Sequence, residues 1–237
     1  MRQKLIILIT LFSINIYASE IQIEYGEYST RYNYFQKPNE EANRVDLPQG
    51  NYENYIRLRI KYDLKNNWSI YGLYAPLKKK YSLDVDKSFN YDGTQFNPGR
   101  INVEYQFNSY RLGMLRNFKM ENFNWWAGGT LKVRDAFINV TQGTSSSNTF
   151  SNIGFVPLLS IGSEYHFNEH MILWNHIDGL ASPQGSAYDV NVEIRYKLSK
   201  RDLLSIGKRF LGGGADNDEL KNFALFESTY FSYIREF

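Results

Sequence analysis

The chain has 237 residues, of which 16% are aromatic, including 19 Tyr and 16 Phe, and yet its mean hydropathy is negative. Its 27 basic and 25 acidic residues nearly balance, which excludes the strongly basic surface of a nucleic-acid-binding protein. It has no cysteine, which excludes a disulfide-stapled secreted domain, thiolate metal sites and a cysteine nucleophile.

The first predicted element is a secretory signal peptide over residues 1–18. Arg2 and Lys4 precede the apolar run of residues 5–16, and Ala18 provides a small residue at a cleavage point. The run is too short for a bilayer core, which needs about 20 apolar residues. Cleavage near Ala18 removes two basic and no acidic residues, so the remaining chain has 25 basic and 25 acidic residues. Residues 19–237 are predicted to form one domain.

The rest of the chain alternates between apolar and polar side chains. In residues 187–198, for example, Val192 and Ile194 alternate with Glu193 and Arg195, which is the period of a β-strand with one apolar and one charged face. No run of 18 apolar residues follows the signal, so a helical membrane protein is excluded. The predicted strands are residues 20–35, 52–64, 68–80, 100–118, 123–140, 154–167, 170–181, 187–198, 203–211 and 222–237.

Long polar links alternate with short ones between these strands. Long outer loops, short periplasmic turns and an even strand number are typical of a bacterial outer-membrane barrel. The predicted fold is therefore all-β, a transmembrane antiparallel up-and-down β-barrel of about ten strands in the outer membrane, in contact with its lipids. Aromatic residues beside the short links would form an interfacial girdle: Tyr62, Trp68, Phe118, Phe123, Tyr165, Phe167, Tyr196 and Phe237.

One predicted strand, residues 100–118, changes phase. Tyr105 and Phe107 share one phase, whereas Tyr110 takes the other. A β-bulge near Asn108 and Ser109 would account for the change. If these two residues formed a turn instead, the strand count would change. Ten strands are predicted, and eight are the alternative. The polar stretch at 143–152 is predicted to be a mobile external loop.

Polar residues on the opposite face of the strands are predicted to line the lumen. Because their charges are mixed and a ten-strand barrel is narrow, we expect an ion-paired plug, with a small polar pore as the alternative. The candidates are Arg57, Arg59, Lys61, Lys132, Arg134, Glu164, His166, Glu193, Arg195 and Arg209.

Two further stretches contain residue types that occur in chemical sites. Residues 212–219, GGGADNDE, concentrate acidic oxygens of the kind that Ca²⁺ binds, but the composition is also that of an ordinary tight loop, which is the prediction. His176 lies near Asp178, yet no serine occurs at a matching phase to complete a hydrolase site. No catalytic residue, metal or cofactor is predicted.

The stretch LSIGKRFLGGGADNDELKNFALF, residues 204–226, followed by a terminal aromatic strand, resembles the C-terminal hairpin of a group of Gram-negative outer-membrane β-barrel proteins of largely uncharacterised function. The resemblance implies an outer-membrane location and a barrel fold, and it implies no activity. Lys208 departs from the group, which favours an aromatic residue there. A terminal Phe also resembles the signal that the barrel assembly machinery recognises, so Phe237, Tyr233 and Phe231 are the predicted assembly signal.

The predicted function is that of an integral outer-membrane protein with a structural or interaction role, whose loops are the surface for any external ligand. It is not expected to be an enzyme. The alternative is a small porin-like channel for polar solutes, and the third hypothesis is a lipid-modifying hydrolase.

Overall fold

The computed structural model describes residues 18–144 and 146–237. The predicted signal peptide lies outside the described residues, apart from Ala18. Ten long strands account for most of the described chain. They are β1 (Glu20–Gln36), β2 (Gly50–Asp63), β3 in two segments (Trp68–Ala75 and Lys78–Val85), β4 (Gly99–Lys119), β5 (Phe123–Gln142), β6 (Ser146–His166), β7 (Met171–Ser182), β8 (Gly185–Lys197), β9 (Asp202–Asp216) and β10 (Lys221–Glu236).

The strands form a closed barrel. Each strand pairs antiparallel with the next along the chain, and β10 closes against β1 from Glu20 opposite Glu236 to Gln36 opposite Lys221. Closure removes the free sheet edges that an open sheet would leave. The predicted ten-strand up-and-down barrel is confirmed, and the eight-strand alternative is wrong. Within the described ranges no helix is long and apolar enough to cross a membrane.

The barrel is apolar outside and polar inside around its middle. This is the reverse of a soluble barrel and the arrangement of a transmembrane one. At the end with short turns, which we call the short-turn end, Tyr165, Tyr196 and Phe237 of the predicted girdle are exposed, and Trp68 is half-buried. Exposed apolar side chains above the girdle include Ile23, Tyr25, Ile56, Leu112, Met114, Leu131, Leu159, Ile161, Ile177, Val192, Ile194, Leu204, Ile206 and Phe231.

At the opposite end, the long-loop end, the barrel divides into two walls. Pairing between β2 and β3 stops at Leu58 and Tyr74, and pairing between β6 and β7 stops at Leu159 and Gly179. The second segment of β3 with the upper parts of β4, β5 and β6 forms one wall. The upper parts of β7 to β10, β1 and β2 form the other.

Two predicted loops are wrong, because they are mostly strand. Residues 143–152 were expected to be a loop, but β6 begins at Ser146, which pairs with Gln142 of β5. Likewise β9 continues through the glycines to Asp216, which pairs with Lys221. In both hairpins the neighbouring strand satisfies the backbone hydrogen bonds, so a polar or glycine-rich sequence stays in the sheet.

The two walls enclose an apolar cluster, which we call the outer cap. The connections after β1 and β3 fold back onto it through the short strands Val45–Asp46, Phe89–Tyr91 and Thr94–Phe96. The cluster consists of Tyr28, Phe35, Val45, Leu47, Leu77, Tyr81, Phe89, Tyr91, Phe96, Ile101, Val103, Tyr105, Ile138, Val140, Leu211, Ala224 and Phe226.

Tyr91 fixes the connection between β3 and β4 to the wall. Its ring packs edge-on against Phe35, with 5.0 Å between centroids, and its hydroxyl donates a 2.9 Å hydrogen bond to the carbonyl of Ile138. Burial, together with the neighbouring Asp92 carboxylate, raises the pKa of Tyr91 above its ordinary value. The side chain therefore stays neutral and anchors this connection in place.

The outer cap also explains the phase change in β4. The predicted bulge at Asn108 and Ser109 is wrong, because β4 pairs with β5 without a register shift from Asn102 to Lys119. Its upper apolar residues, such as Tyr105, face inward into the cap, and its lower ones, such as Leu112, face outward. The strand that is interrupted is β3, between Ala75 and Lys78, and its two segments keep one register against β4.

Three aromatic rings inside the barrel each lie over a glycine on the neighbouring strand. Tyr71 is paired with Gly113, Trp126 with Gly162 and Tyr230 with Gly207. A Cβ atom added to these glycines would lie within 2.1, 2.5 and 2.3 Å, respectively, of an atom of the facing ring. The absence of a side chain there is what lets the rings lie flat across the narrow interior.

Candidate functional site in the lumen

The structure places the predicted lumen residues at three levels. Lys61, Glu164 and His166 lie near the short-turn end and are partly exposed. Arg134 lies near the outer cap and is also partly exposed. The other six are buried inside the barrel: Arg57, Arg59, Lys132, Glu193, Arg195 and Arg209.

The lower buried group is centred on Glu193. Arg195 lies 2.7 Å from one of its carboxylate oxygens and 3.4 Å from the Glu20 carboxylate. Gln22 and Ser205 donate hydrogen bonds of 3.1 and 2.6 Å to the other Glu193 oxygen. These contacts join β8 to β1 and β9 across the interior.

The upper buried group is centred on Asp189. Its carboxylate lies 3.1 Å from Arg57, 2.8 Å from Arg111 and 3.1 Å from Arg209. Arg209 also donates a 2.8 Å hydrogen bond to Glu24. Charged side chains that meet around Asp189 thereby connect β8 to β2, β4 and β9, and through Arg209 to β1.

Asp178 extends this group toward β3 and β7. It accepts hydrogen bonds from Arg111 at 2.8 Å, from the Tyr71 hydroxyl at 3.0 Å and from Ser160 at 2.6 Å. Buried charges of this kind are stable only when they are paired and hydrogen-bonded. We call the side chains around Asp178, Asp189 and Glu193 the lumen network.

Space inside the barrel is distributed unevenly. A vestibule of about 500 Å³ opens at the short-turn end and is lined by Arg59, Lys61, Trp126 and Trp174, among others. Beside Asp178 and Asp189 the remaining cavity is only about 30 Å³, which is room for about one water molecule. Above it lies the outer cap. The lumen is therefore filled at the level of the network.

Among the described residues, no serine is hydrogen-bonded to the imidazole of His176. His176 is buried, and its Nε2 lies 3.0 Å from Asp178. Ser160 donates to Asp178 rather than to His176, so the hydrogen bond between nucleophile and base that activates a serine is missing. The indole N–H of Trp126 donates to Nδ1 of His176 at 2.9 Å, so this imidazole serves in packing and hydrogen bonding.

The acidic stretch after β9 forms a turn. The side-chain oxygen of Asn217 accepts hydrogen bonds from the backbone N–H groups of Glu219 and Leu220, at 3.0 and 2.9 Å, which is ordinary Asx-turn geometry. In residues 18–144 and 146–237, no group of three His, Asp or Glu side chains is placed to hold a metal ion.

Sequence reasoning missed several residues of the network. Arg111 alternates with the exposed Tyr110 and Leu112, and this alternation alone would have placed it inside. The inward position of Asp178 was not predicted, because β7 carries apolar residues on both faces, with Trp174 buried inside and Ile177 exposed outside. Other network residues that were not among the candidates include Tyr71, Trp126, Ser160 and Ser205. Asp189 was not among them either, although it lies on the same polar face of residues 187–198 as Glu193 and Arg195.

No protein-family model matches the chain, and no curated protein matches it. Solved structures do. The outer-membrane protease OmpT of Escherichia coli aligns with a TM-score of 0.54 at 11% identity, covering 95% of this chain and 99% of that one. This chain has the fold of an outer-membrane β-barrel.

Two other solved structures align less closely. Ail, the attachment invasion locus protein of Yersinia pestis, in complex with the heparin analogue sucrose octasulfate, aligns at 10% identity and a TM-score of 0.44, covering 92% of this chain and 99% of that one. The outer membrane protein AlkL aligns at 11% identity and a TM-score of 0.42, covering 96% of this chain and 95% of that one. Likeness at this level concerns the fold alone.

Proposed function

We propose that this protein is an integral outer-membrane protein with a structural or interaction role, which it performs through its long-loop end at the cell surface. The observation that carries the proposal is the filled lumen. A pore for polar solutes needs a continuous aqueous path, whereas here the space beside the lumen network is about 30 Å³. The surface left for function is the long-loop end.

The outer cap supports an interaction role because it orders that end before any partner arrives. Tyr91 and Phe96 of the connection after β3 are fully buried in one cluster with Phe35 of β1 and with Ile101 and Val140 of the walls. A surface that is already ordered loses less conformational entropy on binding than a set of mobile loops does. The proposal includes no catalytic step.

Cysteine labelling on intact cells tests the orientation. The chain has no cysteine of its own, so single variants report one position each. Lys87→Cys lies in an exposed connection at the long-loop end, and Lys200→Cys lies in an exposed short turn. A maleimide that does not cross membranes is expected to label only Lys87→Cys until the outer membrane is permeabilised. Labelling of Lys200→Cys alone would contradict the orientation.

Planar-bilayer recording separates this function from the alternative, a small channel, which the vestibule of about 500 Å³ favours. The refolded wild-type protein is expected to show no ion conductance, with a reconstituted open porin recorded in parallel as the positive control. Stable conductance steps from heat-modifiable, folded protein would refute the closed lumen and favour the channel.

A further inference from the structure

The arginines of the lumen network are paired with carboxylates. Within the described residues, Arg57 and Arg111 pair with Asp189, Arg195 pairs with Glu193, and Arg209 pairs with Glu24 and Asp189. Arg59 lies 3.7 Å from Glu20. Pairing is the usual condition for keeping a guanidinium out of water, so an inward arginine without a carboxylate requires a separate explanation.

Arg134 is such an arginine. It lies on the inward face of β5, and it forms no ion pair among the described residues. One N–H group of Nη2 donates a 2.7 Å hydrogen bond to the side-chain oxygen of Asn152, whereas Nε is buried without a partner. Two residues along β5, Lys132 is buried with its Nζ 4.4 Å from the ring centre of Phe107 and likewise has no carboxylate partner in the described chain. Arg134, which is partly exposed, therefore carries a positive charge that no carboxylate of the described chain compensates.

A pocket of about 150 Å³ adjoins Arg134 at the long-loop end. One side is the inward face of β4, β5 and β6, including Tyr105, Phe107 and Phe150, and the other side is the hairpin of β9 and β10, including Leu220. The pocket lies where β6 has no β7 partner, in the gap between the two walls. The exposed carboxylate of Glu219 is at its rim and forms no ion pair with Arg134.

We propose that this pocket binds a small carboxylic acid that carries a single aromatic ring. The carboxylate would accept hydrogen bonds from the Nη N–H groups of Arg134 that do not bond to Asn152, because the planar guanidinium matches a carboxylate. The ring would lie among Tyr105, Phe107 and Phe150. The size is appropriate, because a cavity of about 150 Å³ accommodates one benzene ring. This site is separate from the filled lumen, and it adds a ligand class to the proposed surface role.

Fluorine NMR tests the site with 4-fluorobenzoate as the probe and 4-fluorobenzamide as its neutral isostere. Titration of the full chain, refolded in detergent micelles, is expected to show saturable benzoate binding. Benzamide is expected to bind at least about tenfold more weakly, because a charge-assisted hydrogen bond is about twice as strong as a neutral one. Arg134→Gln is expected to reduce benzoate binding to the benzamide level.

Two further variants complete the experiment. Arg100→Gln removes an exposed arginine of β4 that pairs with Asp84, and it is expected to bind benzoate as the wild type does. Ala136→Leu keeps Arg134 but fills the pocket, and it is expected to abolish binding. Heat-modifiable gel migration confirms that each variant is folded.

Three results would overturn the site: no saturable binding of benzoate to the wild type, equal binding of benzoate and benzamide, or undiminished benzoate binding by folded Arg134→Gln. None of these measurements depends on cell-surface labelling or conductance. The ligand site and the proposed function can therefore fail separately.

Discussion

Asp189→Asn is the substitution that most directly tests the lumen network. Asp189 is fully buried and lies within 3.1 Å of three guanidinium groups. Arg111 and Arg209 have second partners in Asp178 and Glu24. Arg57 has only Asp189 among the described residues. The variant preserves the shape of the side chain and leaves Arg57 as a buried charge without a counter-ion.

The expected loss is about 3–5 kcal/mol in the free energy of unfolding, the cost of removing one partner of a buried ion pair. The double variant Arg57→Gln with Asp189→Asn removes the stranded charge as well. It is expected to lose less than the sum of the two single variants, with a coupling energy of about 0.5–3 kcal/mol.

Equilibrium urea unfolding of the refolded protein in lipid or detergent measures this loss, with the fluorescence of the four tryptophans as the signal. Asp84→Asn is the matched control. Asp84 pairs with Arg100 at 2.9 Å, but their side chains are 65% and 62% exposed. The control is therefore expected to lose at most about 1 kcal/mol. If Asp189→Asn and Asp84→Asn lose the same amount, water reaches the network and the description of a filled lumen is wrong.

Two other predictions concern packing and assembly. Gly113→Ala would place a Cβ atom 2.1 Å from the Tyr71 ring and is expected to lower the free energy of unfolding by about 1–3 kcal/mol in the same assay. In the control Gly72→Ala the added Cβ atom has nothing within 4 Å, so a much smaller loss is expected. Equal losses in the two variants would contradict the ring packing. Deletion of Phe237 is expected to lower the amount of heat-modifiable protein in outer membranes more than the loop change Asp218→Ala does, and equal yields would remove Phe237 from the assembly signal.

The strands were predictable where side chains alternate cleanly. The start of β1 was predicted at Glu20 and is observed there, because Ile21 and Ile23 alternate with buried Gln22 and Glu24. The start of β6 was predicted eight residues too late, at 154 instead of 146. The Ser and Asn residues at the beginning of β6 do not alternate between apolar and polar side chains, and they are in a strand because they pair with β5.

The outer cap was not predictable from alternation, because the apolar face of a strand changes side along its length. In β4, Ile101 and Val103 are buried in the cap, and Leu112 and Met114 are exposed. Alternation reports that one face is apolar, but it does not report whether lipid or a protein core covers that face.

The site was predictable in kind but not in detail. Mixed charges on the inward faces indicated an ion-paired interior. Partner choice, however, depends on residues far apart in the chain: Arg57 meets Asp189 across 132 positions, and Arg209 meets Glu24 across 185. Such pairs follow from closure and strand register, which a local pattern does not specify.

The rings of Tyr71, Trp126 and Tyr230 over their glycines have a consequence for how the barrel is assembled. A pairing slipped by two residues would keep every side chain on its proper face, so hydrophobicity alone would accept it. It would, however, bring Tyr71 opposite Leu115 or Arg111 instead of Gly113. The ring would then meet a side chain where it now meets none. Each pair of ring and glycine therefore disfavours a slipped register between its two strands. The three pairs do so between β3 and β4, between β5 and β6, and between β9 and β10.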